Sequence, residues 1–277
     1  MLKIGKINFV NLYPIFRCLE EDIAGNSTEK QYYEIIPGVP SHLNSLIREG
    51  KIDVSPSSSI EYLRRPELYD IVPGHSVSSF GPVKSIILFS KMDITKLEGT
   101  TVLASFQSET SAALLKIIFL EFYEINVNIE TTGITLAEGL NTHPAYLLIG
   151  DNALYKLHCR AGISTEIFTY DLGALWYEHT GLPFVFALWI SRKDCNQNLL
   201  SEFVLALNRA KNRSLNSLSE IAQGCPCSKI FSKDMLVSYW ENISYDLTEK
   251  HMQGLQLFET YLKKHDVLCN CNTKVAF

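Results

Sequence analysis

The chain lacks the motifs that announce most enzyme classes. No GxGxxG follows a strand and no GxxxxGK[ST] occurs, so no loop is built to cradle nucleotide phosphates. No GxSxG elbow presents a nucleophilic serine. The seven histidines, His42, His75, His143, His158, His179, His251 and His265, are scattered without metal-ligand spacing and without an evident carboxylate partner. There is no basic tract, and the net charge is −5, which argues against a nucleic-acid surface and against an anionic membrane. A pocket can still be locally positive in an acidic chain, so a small anionic ligand stays open. No apolar run is long enough to span a bilayer. MLKIGKINFV has no apolar core of the signal-peptide kind and reads as an immediate strand, so the expected location is cytoplasmic. The cysteines number seven, an odd count that fits free thiols in a reducing compartment. Cys225-Pro-Cys227 and Cys269-Asn-Cys271 could together offer four thiolates to zinc, but their spacing is tighter than that of structural zinc sites, and no metal is expected. There is no internal repeat and no low-complexity segment.

What remains is an ordinary globular composition, 46% hydrophobic and 20% charged, over 277 residues, a length that suits two α/β lobes. The least ordinary stretch is Asp171–Trp189. Asp-Leu-Gly opens it, a run with Trp176 and His179 follows, and Gly181 and Pro183 stop any helix. The continuous apolar run Phe184–Ile190 then reads as a buried strand. Sheet edges fed by such turns are where open α/β folds bind ligands, although a loop and a core strand without chemistry would look the same.

In chain order, Leu2–Val10 reads as a strand, and Asn11 at its carboxyl end points into the ligand crevice or serves as a turn residue or cap. Tyr33–Ile36 and Lys51–Val54 are further strands. They flank a helix His42–Glu49 capped by Ser41, a β-α-β order that implies a parallel sheet. Ser55 to Ser59 then forms a hydroxyl-rich turn before a helix. Ser58 and Ser59 there can serve an anion, or Ser58 can close a capping box with Glu61. Tyr69–Val72 reads as a strand, His75–Phe80 as a polar stretch, and Ser85–Ser90 as a buried strand with a lobe crossing near Ser90–Asp93. Strand Thr100–Ala104 repeats the grammar, with Ser108, Thr110 and Ser111 at the start of a helix where N–H groups face an anion. Ile125–Glu130 and Ala145–Ile149 are strands, Ile134–Leu140 and Asn152–His158 are helices, and Asp151 at a strand end can touch a ligand hydroxyl or cap a helix. From Ser191 on the pattern is helical, with an apolar stripe in Asn198–Leu215, and the closing CNCNTKVAF reads as a poorly ordered end.

Two β-α lobes crossed twice, with anion sites facing a cleft, resemble the periplasmic binding protein fold of the second type. The expected bounds are 1–91 for the first part of lobe I, 92–184 for lobe II and 185–277 for the helix-rich return to lobe I. Within that superfamily the residues resemble the MqnA/MqnD family of the futalosine route to menaquinone, in its chorismate dehydratase branch. The motifs are Ile4-Gly5-Lys6-Ile7 with Asn11 and Pro14, Val39-Pro40-Ser41-His42-Leu43-Asn44, Gly50–Val54 with Ser58–Tyr62, and Gly81-Pro82-Val83-Lys84-Ser85. Others are Ser108–Ser111 with Leu114-Leu115, Leu148–Asp151 with Ala153-Leu154, and Asp171-Leu172-Gly173 with Trp176, Thr180–Ala187 and Trp189. Phe9 departs from the family, which often carries Tyr there, and Ser57 and the cysteine-rich tail are also peculiar to this chain.

The resemblance implies that chorismate, a small dianion, loses the C4 hydroxyl and the C3 hydrogen to give 3-[(1-carboxyvinyl)oxy]benzoate. It implies no cofactor, the substrate's own enolpyruvyl carboxylate as base, and a monomer or homodimer. Asn11 and Ser85 would orient the reacting groups, and Ser58, Ser59, Ser108, Thr110 and Ser111 would bind carboxylates. Trp176 or Phe184 would wall the ring, with Asp151 and His179 as further contacts. A small-anion binding protein and the sibling branch, which makes a dihydroxynaphthoate, are the alternatives.

Overall fold

The computed structural model describes residues 1–25, 31–106, 109–159 and 166–268. The first half of the chain lays down β1 (Leu2–Ile7), α1 (Tyr13–Gly25), β2 (Tyr33–Gly38), α2 (Pro40–Arg48), β3 (Val54–Ser58), α3 (Ser59–Arg64) and β4 (Tyr69–Ser79). Next come β5 (Ile86–Ser90), β6 (Thr101–Ser105), α4 (Glu109–Ile117), β7 (Asn128–Thr132), α5 (Leu136–Thr142), β8 (Ala145–Ile149) and α6 (Gly150–Cys159). The last elements are β9 (Phe168–Asp171), α7 (Leu172–Thr180), β10 (Phe184–Arg192), α8 (Gln197–Asn216), α9 (Leu218–Gln223), α10 (Lys233–Glu241) and α11 (Glu249–Lys264). Among the described residues no helix is long and apolar enough to cross a membrane.

Two five-stranded sheets result, ordered β2-β1-β3-β10-β4 and β7-β6-β8-β5-β9. In the first, β1 runs parallel to β2 and β3; in the second, β6 runs parallel to β7 and β8. Each sheet contains one strand delivered from the other. β5 enters the second sheet antiparallel to β8 and β9, and β10 returns to the first antiparallel to β3 and β4. A chain arriving from the facing lobe enters a sheet from its cleft edge, against the direction of the β-α-β strands. The parallel arrangement expected from the first β-α-β order holds for β1, β2 and β3, and it is the two crossing strands, β5 and β10, that run antiparallel.

The same fact moves the first crossing. Ile86–Ser90 belongs to the second sheet, so the chain leaves the first sheet after Ser79 and crosses through 80–85, not near Ser90–Asp93. Three local readings also change. Ser55 to Ser58 is strand, because β10 pairs with it along its length and buries it, and Lys51–Asp53 only leads into it. His75–Ser79 extends β4, its polar side chains buried inside the fold. Val39, not Ser41, stands at the start of α2, with Pro40 in the first turn, where a missing N–H costs nothing.

The capping box from Ser58 to Glu61 is not made. Glu61 is buried and is engaged by Arg48, Arg65 and the Tyr69 hydroxyl. The helical tail packs back onto the lobes. α8 lies along α1, and α11 contacts both β10 and α4. The reading of 269–277 as a poorly ordered end falls outside the described residues.

Candidate active site

A cavity of about 80 Å³ lies between the two sheets. The first lobe contributes the end of β1, the turn after it with Asn11, Ser58 at the end of β3, and Phe186 on β10; the second contributes Ser85, Thr110, Ser111 and Gly150. Pro40, Leu12, Thr110, Ser111 and Gly150 place the starts of α2, α1, α4 and α6 on this one space. First-turn N–H groups have no partner within their own helix, and the helix dipole makes each such end positive. Among the described residues, no lysine, arginine or histidine lines the cavity. Its attraction for an anion rests on dipoles and neutral donors.

Asn11 carries its amide into this space with Oδ1 buried and without a hydrogen-bond partner among the described residues. Its backbone is fixed from behind. The Tyr245 hydroxyl donates to the Asn11 carbonyl, the Trp240 indole donates to the Val10 carbonyl at 2.8 Å, and Asp151 Oδ1 accepts from the Val10 N–H at 3.0 Å. Ser85 is buried and accepts a hydrogen bond from the Tyr239 hydroxyl at 2.9 Å. Ser58 Oγ accepts from the Asn44 amide at 2.8 Å, and Thr110 Oγ1 accepts from the Ile60 N–H at 3.3 Å.

Asp151 faces an adjoining recess with Phe9 and Asn152 and does not line the central cavity. Burial pushes its carboxyl above the usual range, against the Val10 N–H, which favours the ionised form. Gly150 has φ of 68°, and a Cβ there would stand 3.3 Å from the Phe9 ring. Only glycine suits both that backbone and that approach. The end of the Phe9 ring therefore lies close over the turn and brings no hydroxyl. A larger cavity, about 300 Å³, opens on the second lobe alone between Phe106, Tyr146 and Lys156, and adjoins the cleft at Ile149.

The structure brings Asn11, Ser58, Ser85, Thr110 and Ser111 together. Ser108 lies outside the described residues. Ser59 is fully buried and donates to the Val185 carbonyl, which makes it a structural tie between α3 and β10. Trp176 and Phe184 do not reach the cavity. They meet edge-on at 5.1 Å within an aromatic cluster completed by Phe122, Phe258 and Tyr261. His179 stacks on Phe122 at 4.4 Å, and its Nδ1 lies 2.9 Å from the Leu175 carbonyl. None of the three lines the cavity: α7 turns Trp176 into the core against Phe184 of β10, and His179 lies exposed on α7. Phe186, which packs against Phe184 at 4.7 Å, reaches the cleft and lines it together with Phe9.

Sequence reasoning missed Phe186 and the tail residues Tyr239, Trp240 and Tyr245. An apolar residue inside a buried run carries no mark of facing a cleft, and the tail aromatics resemble any helix core stripe.

The two sheets exchanging one strand each, with a cleft between them, define a periplasmic binding protein-like fold. Protein AF1704 from Archaeoglobus fulgidus superposes with a TM-score of 0.75 at 16% identity, covering 96% of this chain and 98% of that one. The alkanesulfonate-binding protein SsuA of Xanthomonas axonopodis pv. citri, bound to MOPS, superposes with a TM-score of 0.62 at 13% identity, covering 96% and 93%.

Residues 2–264 match the model of the menaquinone biosynthesis family, and the chain belongs to that family. The chorismate dehydratase of Thermus thermophilus is 31% identical over 245 residues, 82% of this chain and 85% of the relative.

Proposed function

We propose that the protein is a chorismate dehydratase, a hydro-lyase that converts chorismate to 3-[(1-carboxyvinyl)oxy]benzoate and water. The observation that carries this reading is the donor set of the cleft: hydroxyls, one amide and converging helix starts, with no cationic side chain among its lining residues. Such a set suits a dianion that must be held and oriented without being handed a strong acid or base. The Thermus relative supplies the specific substrate by its name.

The chemistry then falls mostly on the substrate. The C3 hydrogen leaves as a proton to the enolpyruvyl carboxylate, and the C4–O bond breaks with its electron pair on oxygen. That oxygen takes up a proton and departs as water, so the protons balance without a protein acid. Formation of the aromatic ring drives the step, and the protein contributes orientation and stabilisation of the departing oxygen. Asn11 Oδ1 accepts from the C4 hydroxyl, the donor that this amide oxygen otherwise lacks. Ser85 donates to the same oxygen. Ser58, Thr110 and Ser111, with the starts of α4 and α6, take the carboxylates. Asp151 Oδ1 accepts from the Val10 N–H and shapes the Asn11 turn, and its carboxylate faces the adjoining recess rather than the cavity. A cytoplasmic location belongs to the same proposal and is supported by the free thiols of Cys18, Cys195, Cys225 and Cys227.

The test is to mix the purified protein with chorismate and follow absorbance and product mass. Loss of one water with appearance of an aromatic enol ether is the expected result. Saturable binding without turnover would make it a binding protein, and indifference to chorismate would defeat the substrate assignment.

A further inference from the structure

Tyr239 sits on α10, in the part of the chain with the weakest family signature, yet its hydroxyl ends 2.9 Å from Ser85 Oγ at the cleft wall. The ring is 2% exposed and Ser85 is 3% exposed, so water does not compete for this contact. Burial holds the Tyr239 phenol protonated, well above its ordinary range, with the Asp151 and Asp171 carboxylates acting in the same direction. A phenol that keeps its proton, and that is more acidic than an aliphatic alcohol, is the donor of the pair.

Ser85 is thereby left with its own proton to place. Among the described residues the acceptor in reach is the Val83 carbonyl at 3.4 Å, beyond the roughly 2.5–3.0 Å of an ordinary hydroxyl donor. The remaining direction is the cleft that Ser85 lines. Hydrogen bonds in series also polarise one another, so a serine that accepts from a phenol becomes a stronger donor.

We propose that Tyr239 is a positioning residue that acts through Ser85: it fixes the serine hydroxyl as a donor into the cleft, aimed at the oxygen that leaves the substrate. The inference rests on the dehydratase reading. No proton is transferred along the pair. The C4–O bond breaks with its electrons on oxygen, the proton released from C3 completes the water, and Tyr239 and Ser85 keep their own. Their contribution is a preoriented hydrogen bond that strengthens as charge grows on the departing oxygen.

The experiment compares full-length wild type, Tyr239→Phe, Ser85→Ala and the double variant in steady-state turnover of chorismate, with thermal unfolding in parallel. Tyr239→Phe should lower kcat about 10- to 100-fold, less than removal of a donor that touches the reacting oxygen, and leave KM within about two-fold. The double variant should be no slower than Ser85→Ala, because the tyrosine has no route to the reaction once the serine is gone. A merely structural tyrosine would instead depress both backgrounds alike. If Tyr239→Phe does not fold, the comparison of Ser85→Ala with the double variant still decides. There both polar partners are removed together and no buried acceptor is stranded. Wild-type kcat in Tyr239→Phe, or a further loss in the double variant, overturns the relay alone. A wild-type protein that leaves chorismate unchanged overturns the dehydratase reading and the relay with it.

Discussion

Asp171 accepts the Lys84 N–H at 2.6 Å, and this bond ties the outgoing lobe crossing to the returning one. Its other oxygen accepts from Val83, Gly173 and Ala174, so one carboxylate caps α7 and holds the turn before Ser85. Burial raises its carboxyl above the usual range even though all four N–H groups favour the ionised form. Asp171→Asn places an amide NH₂ opposite one of those N–H groups and leaves a buried donor unpaired. The expected loss is about 1–3 kcal/mol in urea unfolding. It should be accompanied by slower turnover, since Ser85 follows directly on the freed turn. Unchanged unfolding and unchanged kcat would show that the tie is dispensable.

Gly173 explains the second letter of the same motif that matters. A Cβ on it would lie 2.5 Å from the Gly81 carbonyl, on the outgoing crossing, and 2.8 Å from Ser79 Oγ at the end of β4. The constraint is space, and the obstruction is backbone, which cannot swing aside. Gly173→Ala should therefore destabilise by about 1–3 kcal/mol despite alanine's better helix propensity. Gly99→Ala is not its equivalent, because Gly99 needs a φ of 70° and has nothing within 4 Å of a Cβ. A more stable Gly173→Ala would mean that the crossings part more easily than their contacts suggest.

How much of this was legible beforehand depends on what each residue shows in one dimension. The strands and helices follow from hydrophobic period; Asn11, Thr110 and Ser111 are candidates as polar residues at a strand end and a helix start, positions that turns and caps also use, and Ser85 is marked only by the family resemblance. Ser55 and Ser57 misled, because small hydroxyls around a proline look like a turn. In the fold they are fully buried in β3, and a Cβ on Gly5 of β1 would come within 2.3 Å of Ser55 Oγ, so the strands pack too closely there for larger side chains. Trp176 misled in the opposite sense. A tryptophan in a distinctive motif suggested a ligand wall, whereas its partners arrive from α11, more than seventy residues later, and local pattern cannot announce them. The direction of β5 and β10 was hidden for a similar reason: a buried apolar run reads alike in both directions.

Asn11→Ala separates the cleft from the scaffold. Its side-chain oxygen makes no bond to the described protein, while the backbone is held by Tyr245, a contact the substitution leaves in place. Turnover of chorismate should fall by about 100-fold or more, as for loss of a group aimed at reacting charge. The unfolding free energy should stay within about 0.5 kcal/mol of wild type. Wild-type turnover would remove Asn11 from the mechanism, and a large stability loss would make it a packing residue.

His75 sets an acid limit on the fold. It is fully buried on β4, with Nε2 3.0 Å from Asn208 Oδ1 and Nδ1 without a partner among the described residues. Burial, reinforced by the nearby Lys211 ammonium, pushes its pKa down to about 4 from the ordinary imidazole value of 6.5, against the hydrogen bond to Asn208 and the Asp246 carboxylate. The unfolded chain therefore binds this proton more readily than the folded one. The stabilisation is complete above the unfolded value and is lost as pH falls through the window from 6.5 to about 4. Between about pH 7.5 and 5 the wild type should lose about 2 kcal/mol from this group alone. His75→Gln keeps a donor for Asn208 and cannot titrate. Whatever its stability at neutral pH, its unfolding free energy should fall less steeply over that range by about the same amount. Parallel pH profiles in denaturant unfolding would mean that the protonated ring is accommodated, with Asp246 as the charge positioned to receive it.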